Sequence, residues 1–431
     1  MSFCAAIAYA AVYLQGLGYS NAELGLIIAA GNLLGSLLGP GLSSVIDRSP
    51  KVNASMLVMP LLLIQAVMEI LLAAFPVKSA VLPLIYVLYI AACLTANSLY
   101  LKQYSDAVYQ GRFIDYGFAR GMGSAAYVAA TPMLGNLVKY TGVRAIPLLG
   151  LAFTGFQLLS FLAIRKQIGP EEENAENAAA GNAPAENAAS GNAPVENAAT
   201  GNASAENAEG SPENAAAANA DNGSAERAEN DMSGTGKTMG EFIRTNPRFF
   251  VLLLGTAILF FSHNTINTFM INVVRNVGGD TATMGVFDGL LAAVEIPVMM
   301  FYTTLFRKKN CRSLLCAAFL FFIMKAAAVA AAHTVPLLLV SAILQAPSFA
   351  LYTSAIVPYV AEEIAYEDSA KAQSLAYTMT TCGAVLASLI SGKLYDIWPV
   401  TPVLWFGCGV SIAGAAIAIA GLKKKKKTEK A

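Results

Sequence analysis

Long runs of apolar residues, separated by short polar stretches, recur along most of the chain. A run of roughly 18 to 24 residues is long enough for an α-helix to cross the hydrocarbon core of a bilayer. Only helices and closed β-barrels satisfy their backbone hydrogen bonds there, and these runs lack the alternation of barrel strands. The pattern predicts about twelve transmembrane helices, at residues 2–18, 22–45, 54–76, 80–105, 118–138, 145–164, 249–272, 284–305, 312–332, 335–357, 372–394 and 400–421.

The first of these runs is short and begins at Met1. It is either a short or tilted span or the remainder of a longer one. A cleaved signal peptide is not indicated, because no basic segment precedes the run and no small-residue cleavage site leads into a soluble domain.

The composition supports a bilayer environment. Hydrophobic residues make up 56% of the 431 residues and charged residues only 13%, whereas soluble domains carry about 25% charged residues. The mean hydropathy is +0.54. We therefore predict an all-α integral membrane protein whose immediate surroundings are the lipid bilayer.

Basic residues cluster on one side of the predicted helices. The opposite loops hold only scattered cations such as Lys78, Arg144 and Arg275. The positive-inside rule then places both termini in the cytoplasm, which predicts a multi-pass inner-membrane protein. We predict no nucleic-acid partner. The clustered cations are Arg48, Lys51, Arg112, Arg165, Lys166, Arg307, Lys308, Lys309, Arg312 and the run from Lys423 to Lys427.

A low-complexity segment divides the chain into two parts with six predicted spans each. It repeats a ten-residue unit that begins at Glu176, Glu186 and Glu196 and contains almost no large apolar side chain. Such a composition cannot bury enough surface to fold, so we predict a disordered cytoplasmic linker. The predicted domains are residues 1–165, the linker 166–245, a second six-helix half at 246–421 and a basic tail at 422–431.

Enzymatic chemistry is not indicated. The chain has no phosphate-binding loop and no pairing of a nucleophile with a histidine. Its 6 cysteines lie in or beside apolar runs without metal-ligand spacing, and it has 2 histidines. We predict a protein that is not an enzyme and that holds neither a metal nor a cofactor.

A few ionisable residues fall within the apolar runs, where they are costly and usually face a cavity or a partner. Arg120 is either a flanking residue whose side chain reaches the interface or a binding residue. Tyr127 follows seven residues later on the same helical face and is either a binding or a packing aromatic. The ionisable residues are Glu69, Asp106, Arg120, His263, Asp288, Glu295 and Lys325.

The stretch "GLSSVIDRSPK" after the second run resembles the loop signature of the major facilitator superfamily. Asp47, Arg48 and Lys51 match its acidic and basic positions, although Ser43 stands where a glycine is expected. The resemblance implies a bundle of about twelve helices in two six-helix halves with alternating access between them. The three matching residues would then form a latch that stabilises one conformation.

The stretch "FARGMGSAAY" is similar to the fifth helix of the lactose permease and nucleoside–proton symporter branch of that superfamily. The resemblance implies that Arg120 binds solute hydroxyls, that Asp106 pairs with it and that Tyr127 stacks on the solute. The loop between Asp106 and Arg120 is shorter here than in the permease.

Other positions depart from that branch. Gln345 and Ser348 occupy positions similar to the histidine and the proton-carrying glutamate of helix ten, and Lys325 a position similar to an arginine of helix nine. Asn267 and Gln345 are either hydrogen-bonding partners of a solute or links between helices. We predict Glu295, in the middle of a span, as the proton carrier, with Lys325 as its coupled cation. The alternative for Glu295 is a carboxyl that is permanently paired with Lys325 or hydrogen-bonded within the bundle. Glu69 is the second choice as carrier, and its alternative is a buried hydrogen-bonded residue.

The combined prediction is a secondary active transporter, acting as a monomer, for a small polar solute similar to a sugar or nucleoside. Proton symport by alternating access is the favoured mechanism. One alternative is a proton-driven drug or metabolite exporter of the same fold. The other is a membrane sensor or scaffold that transports nothing.

Overall fold

The chain folds into a bundle of helices, described here as an N-terminal and a C-terminal half. The computed structural model describes residues 4–48, 54–109, 116–167, 239–302, 306 and 309–422, and these contain helices and turns without a β-strand. The N-terminal half starts with a π-helical turn, Cys4–Ala8. Its helices are α1 Ala10–Gly16, α2 Asn21–Arg48, α3 Ala54–Ala74, α4 Leu82–Tyr109, α5 Tyr116–Thr141 and α6 Ala145–Gln167.

The C-terminal half contains both long spans and short helices that extend or interrupt them. Its tenth predicted span is divided, because a 3₁₀ turn Ala342–Leu344 and a π-helical turn Ala346–Ala350 separate two α-helices. The helices are α7 Met239–Thr245, α8 Pro247–Asn267, α9 Met270–Asn276, α10 Thr281–Met300, α11 Cys311–Ala331, α12 Val335–Ser341, α13 Leu351–Glu363, α14 Tyr366–Ile397 and α15 Val400–Leu422.

Each predicted apolar run corresponds to a helical segment, which confirms the all-α membrane fold. Within the described ranges, 10 segments are long and apolar enough to span a bilayer. The short first run forms the turn Cys4–Ala8 and α1, and α5 begins at Tyr116, two residues before its predicted start. The proposed linker boundaries remain predictions, because residues 168–238 lie outside the described ranges.

The same turn joins the first two spans of each half. The N–H of Gly18 donates to the carbonyl of Gln15, and that of Tyr19 donates to Leu14. At the equivalent place Gly278 and Gly279 donate to Arg275 and Val274. Both Gly18 and Gly278 have positive φ angles, 85° and 83°, in the left-handed region where a side chain is disfavoured. This local identity supports the internal repeat that six plus six spans suggest.

The two halves meet along two pairs of helices, α2 with α14 and α5 with α10. Glycines at these contacts, Gly25 and Gly285 among them, let the paired backbones touch. A Cβ atom on Gly25 would overlap the carbonyl oxygen of Ser388, and one on Gly285 would overlap that of Thr131. Both contacts lie towards one end of the bundle, where α1 leads into α2 and α9 leads into α10. We call this end the clasp end.

Candidate functional site

A chain of hydrogen bonds links three helical segments in the interior of the C-terminal half. The Gln345 side chain donates from Nε2 to Oε1 of Glu295 at 2.5 Å, and its Oε1 accepts a hydrogen bond from Nζ of Lys325. Glu295 lies on α10 and Lys325 on α11. One amide therefore bridges a carboxylate and an ammonium group.

His263 on α8 extends this chain towards Asn267. Its Nδ1 lies 3.4 Å from Nζ of Lys325, and its Nε2 lies 2.8 Å from Nδ2 of Asn267, one turn along the same helix. The imidazole stacks on Phe349 with ring centroids 5.2 Å apart and planes 4° from parallel. His263 is therefore in contact with Lys325, Asn267 and Phe349.

Local irregularity in the tenth span positions the bridging amide. Gln345 lies between the 3₁₀ turn and the π-helical turn, and Pro347 follows it. Proline has no N–H to donate, which weakens regular α-helical bonding at this point. The hydroxyl of Ser348 donates to the carbonyl of Leu344 at 2.6 Å and satisfies part of the interrupted backbone. Short π-helical segments of this kind frequently mark functional sites.

All four ionisable or bridging members of the chain are almost completely shielded from solvent. The exposed fractions of Glu295, Lys325, Gln345 and His263 are 1%, 1%, 2% and 3%. Buried charges of opposite sign are tolerated when hydrogen bonds and a partner compensate for lost hydration. The site thus carries one carboxylate and one ammonium group held apart by an amide that contacts both.

The structure brings together the sequence-predicted residues of the C-terminal half: Asn267, Glu295, Lys325 and Gln345. It adds Phe349, whose stacking on His263 was not predicted. The signal available in the sequence was the spacing from Gln345 to Phe349, which places both near one helical face when the segment is helical. The irregular turns between them are not evident from that spacing.

The predicted solute-binding residues of the N-terminal half lie on α4 and α5. Asp106 is in the last turn of α4 and Arg120 in the first turns of α5, and the side chains of both lie outside the described part of the structure. Tyr127, two turns further along α5, is partly buried and packs against the central core. The pairing of Arg120 with Asp106 stays a prediction.

The predicted latch lies at the other end of α2. Asp47 and Arg48 are its last two residues, and Lys51 falls among residues 49–53, outside the described ranges. The side chains of Asp47 and Arg48 are likewise not described. Their function as a latch remains a prediction.

Glu69 belongs to a separate buried cluster within the N-terminal half. Its Oε1 accepts hydrogen bonds from the hydroxyls of Tyr89 at 2.9 Å and Thr154 at 3.0 Å, and a longer one from Nε2 of Gln65 at 3.4 Å. Gly150 on α6 leaves room for this carboxyl, since a Cβ there would lie 2.9 Å from Oε1. The cluster joins α3, α4 and α6, so its described partners do not include the C-terminal half.

Replacing Glu69 with alanine is expected to lower stability more than it changes solute affinity. The change leaves the buried donors of Tyr89 and Thr154 without their acceptor, which costs about 1–3 kcal/mol per unsatisfied group. Thermal unfolding of the purified protein measures this loss, and solute exchange in proteoliposomes measures affinity. An unchanged unfolding temperature together with loss of gradient-driven uptake would favour Glu69 as the proton carrier.

Polar side chains join the halves at the clasp end. Gln15 donates to Oδ1 of Asn272 at 2.7 Å, and Asn272 donates to Oδ1 of Asn21 at 2.8 Å. The carboxylate of Asp396 accepts hydrogen bonds from the backbone N–H groups of Asn21 at 2.9 Å and Ala22 at 2.8 Å. An acidic group from one half thus caps the first turn of α2 in the other half, where the helix dipole favours negative charge.

An ion pair adds a second link across the same end. Nζ of Lys139 on α5 lies 2.8 Å from Oδ2 of Asp280, which precedes α10. The hydrogen bond from Lys139 lowers the pKa of Asp280 to about 2. A lowered carboxylate pKa contributes stability above the unfolded value of about 3.9, and this is lost as pH falls towards 2. Any pH dependence of transport between pH 5 and 8 must therefore come from another group.

Helices that meet in pairs, 10 of them in the described ranges long and apolar enough to span a bilayer, define a polytopic membrane protein. The chain belongs to the MFS_1 like family, whose model matches residues 2–403. It is a transporter of the major facilitator superfamily and not an enzyme.

Solved structures and a curated relative agree with this membership. The chain matches crystal structures of the nucleoside transporter NupG and of a point mutant of it, with TM-scores of 0.68 and 0.69 at 14% identity, over 98% of both chains. It is 24% identical over 164 residues to a Deinococcus radiodurans protein described as "Putative sugar efflux transporter". That match spans 38% of this chain and 42% of the relative.

Proposed function

We propose that this protein couples the movement of a small hydroxylated solute, similar to a sugar or nucleoside, to proton symport by alternating access. The observation that carries the proposal is the amide of Gln345, which hydrogen-bonds to both Glu295 and Lys325. A buried site that contains a carboxylate, an ammonium group and a bridging amide can bind a proton and rearrange its hydrogen bonds.

Glu295 is the proposed proton carrier. When Glu295 is ionised, its charge is balanced by Lys325 through Gln345. When Glu295 is protonated, the Lys325 charge is left without that compensation, which changes the energy of binding a polar solute nearby. Solute and proton occupancy are thereby linked at one site, and such linkage is reciprocal.

Solute recognition is assigned to both halves. In the C-terminal half, the amides of Gln345 and Asn267 supply hydrogen-bonding groups beside the stacked ring of His263. In the N-terminal half, Tyr127 supplies an aromatic face, and Arg120 held by Asp106 supplies a planar fork of donors suited to hydroxyl pairs. NupG, a nucleoside transporter by its name, shares this fold, which makes nucleosides sensible first probes.

The conformation supports alternating access. Direct contacts of backbone and side chains close the clasp end. The orientation predicted from the basic residues places both termini in the cytoplasm. The same orientation places the clasp end on the outer side of the inner membrane. In this proposal the described conformation is the form closed to the outside. Inward and outward forms would interconvert as the two halves rock about the central site.

Reconstitution of the purified protein into proteoliposomes tests the proposal. Uridine, adenosine, D-glucose and D-galactose are the probes, first in counterflow without a gradient and then in uptake with an inside-alkaline pH gradient. We expect exchange of at least one probe, and accumulation of that probe only with the gradient. A silent counterflow assay for all four would contradict transport of hydroxylated solutes.

Export is the second proposed direction. The observation that favours it is the partial similarity to the relative named as a sugar efflux transporter. Vesicles with an acidic interior distinguish the two directions when the protein's orientation in them is determined by protease protection. Solute accumulation in the acidic interior, driven by proton exit in exchange, would establish export and contradict symport.

A further inference from the structure

The contact between α2 and α14, which we call the α2–α14 seam, follows a regular register from the clasp end inwards. At the clasp end the two backbones touch. A Cβ atom on Gly392 would overlap the carbonyl oxygen of Asn21, and one on Gly25 would overlap that of Ser388. A step of four residues forward along α2 thus matches a step of four residues back along α14, so the two helices run antiparallel.

The same register continues into the interior of the bundle. Ser36 of α2 interacts with the hydroxyl of Tyr377 of α14, at the spacing that the backbone contacts of the clasp end set. Between these pairs the register places Asn32 opposite Thr381. Asn32 is also the central residue of the membrane span Asn21–Ser43, so a polar amide lies between the two halves at the middle of the bilayer.

The Asn32 amide is buried without a donor for its oxygen. Asn32 is 3% exposed, and among the residues that the structure describes none donates a hydrogen bond to its Oδ1. The hydroxyl of Thr381, which is 6% exposed, does not donate to it either. A buried acceptor without a donor is unfavourable, because it has lost its hydrogen bonds to water.

The position of Asn32 distinguishes it from other buried amides. Gln65, Asn264 and Gln345 each donate a hydrogen bond within their own half of the chain. Those bonds persist when the halves move as rigid bodies. Asn32 lies between the halves instead, so separation of α2 from α14 at the clasp end opens the seam that buries it.

We propose that Asn32 destabilises the form closed at the clasp end and thereby keeps the closed and open forms close in energy. When the seam opens, water supplies the missing donor, and when the seam closes, that donor is lost. The unfavourable term therefore acts on the closed form alone and opposes the close backbone packing at Gly25. A transporter needs both forms to be populated if modest differences in ligand affinity are to shift them. The inference goes beyond the choice of solute and coupling ion, and it rests only on the alternating access of the proposed function.

The rate of cysteine labelling at the seam measures the open population. Ser388 is 1% exposed, so a thiol placed there by Ser388→Cys, in a background without the native cysteines, reacts with a membrane-impermeant maleimide only when the clasp end opens. Asn32→Leu has nearly the same shape and no polar group. It is expected to lower the labelling rate about 5- to 100-fold.

Asn32→Asp provides a change in the opposite direction. It keeps the shape of the side chain and places a carboxyl group at the seam, which is more costly to bury than an amide. It is expected to raise the labelling rate about tenfold. Where Asn32→Asp does not fold, Asn32→Leu decides the inference alone.

Asn136→Leu is the matched control. Asn136 lies exposed on α5, and its amide donates to the carbonyl of Pro132 on the same helix at 2.9 Å. The same chemical change at this position should leave the labelling rate at the wild-type value. Thermal unfolding provides a second measurement: Asn32→Leu should unfold at the wild-type temperature or above it, because it removes an unsatisfied buried group.

The other outcomes overturn the inference. An unchanged labelling rate in Asn32→Leu would show that the amide does not affect closure. A higher rate with a lower unfolding temperature would show that Asn32 stabilises the closed form through a donor of its own. A change in the same direction in Asn32→Leu and Asn32→Asp would assign the effect to packing. The labelling needs no solute, so a silent counterflow assay for all four probes would contradict the proposed function and leave this inference standing.

Discussion

Glu295→Gln is expected to preserve solute exchange and to abolish accumulation driven by a pH gradient. Glutamine has nearly the same shape, and its Oε1 can still accept the hydrogen bond that Gln345 donates at 2.5 Å, but it cannot take up or release a proton. A gradient of one pH unit supplies about 1.4 kcal/mol per proton, enough to concentrate a neutral solute about tenfold with one proton. The accumulation ratio should fall from about ten to about one.

Paired assays on the same proteoliposomes measure this separation. Counterflow without a gradient gives the exchange rate, and uptake with an inside-alkaline gradient gives the accumulation ratio. Glu241→Gln, which replaces an exposed carboxylate on α7, serves as the control. It should keep both the wild-type exchange rate and the wild-type accumulation ratio. A Glu295→Gln protein that still concentrates solute would show that the proton carrier lies elsewhere, with Glu69 the next residue to replace.

Lys325 gives this expectation its physical basis. Its ammonium group hydrogen-bonds to Gln345, lies 3.4 Å from His263 and is 1% exposed. In Glu295→Gln the positive charge loses its negative counterpart across the amide, which resembles the proton-loaded wild-type site. The variant should therefore resemble the proton-loaded form, which exchanges solute without a net proton flux.

The membrane spans could be predicted from hydropathy because each depends on local composition alone. Glu295 and Lys325 could be selected for a related reason, since a charge inside an apolar run is costly and needs a partner. The bridging function of Gln345 could not be predicted from the sequence, because it depends on how α10, α11 and the divided tenth span are rotated against one another. Rotation is determined by packing between helices, which a single sequence does not specify.

The clasp end was missed for a different reason. Gln15, Asn21, Asn272 and Asp396 lie beside loops, where polar residues are usual and carry no signal of their own. Their significance appears only when Asp396 is seen to cap α2 from the other half of the chain. Gly25 was likewise one of many small residues in an apolar run until its contact with the Ser388 backbone was evident.

Conversely, the residues that the fifth-helix resemblance favoured most are those whose interactions stay predictions. Arg120 and Asp106 were selected by similarity to sugar and nucleoside symporters, and their side chains are not among those described. The C-terminal cluster, where the chain departs from that branch, has the best-defined hydrogen bonds. We therefore propose that recognition resembles the branch in the N-terminal half while coupling uses a different set of residues.

Gly25→Leu is expected to prevent closure of the clasp end and to reduce transport to background. Even a Cβ atom at Gly25 would overlap the carbonyl oxygen of Ser388, and backbone cannot move aside as a flexible side chain can. The closed form would lose the packing of α2 against α14, so the population should shift to a form open at that end. A twentyfold shift requires only about 1.8 kcal/mol, which lies within the range of about 1–3 kcal/mol that overpacking of a tight contact commonly costs.

Distances between spin labels measure this shift. Labels at Ala80→Cys and Ile397→Cys, both exposed at the clasp end, report the separation of the halves in a background that lacks the native cysteines. Gly41→Leu is the matched control, because Gly41 lies on the same helix with nothing within 4 Å of an added Cβ. The Gly41→Leu variant should retain both the short distance between the two spin labels and normal transport. A short distance in Gly25→Leu, with normal exchange, would show that closure does not depend on this backbone contact.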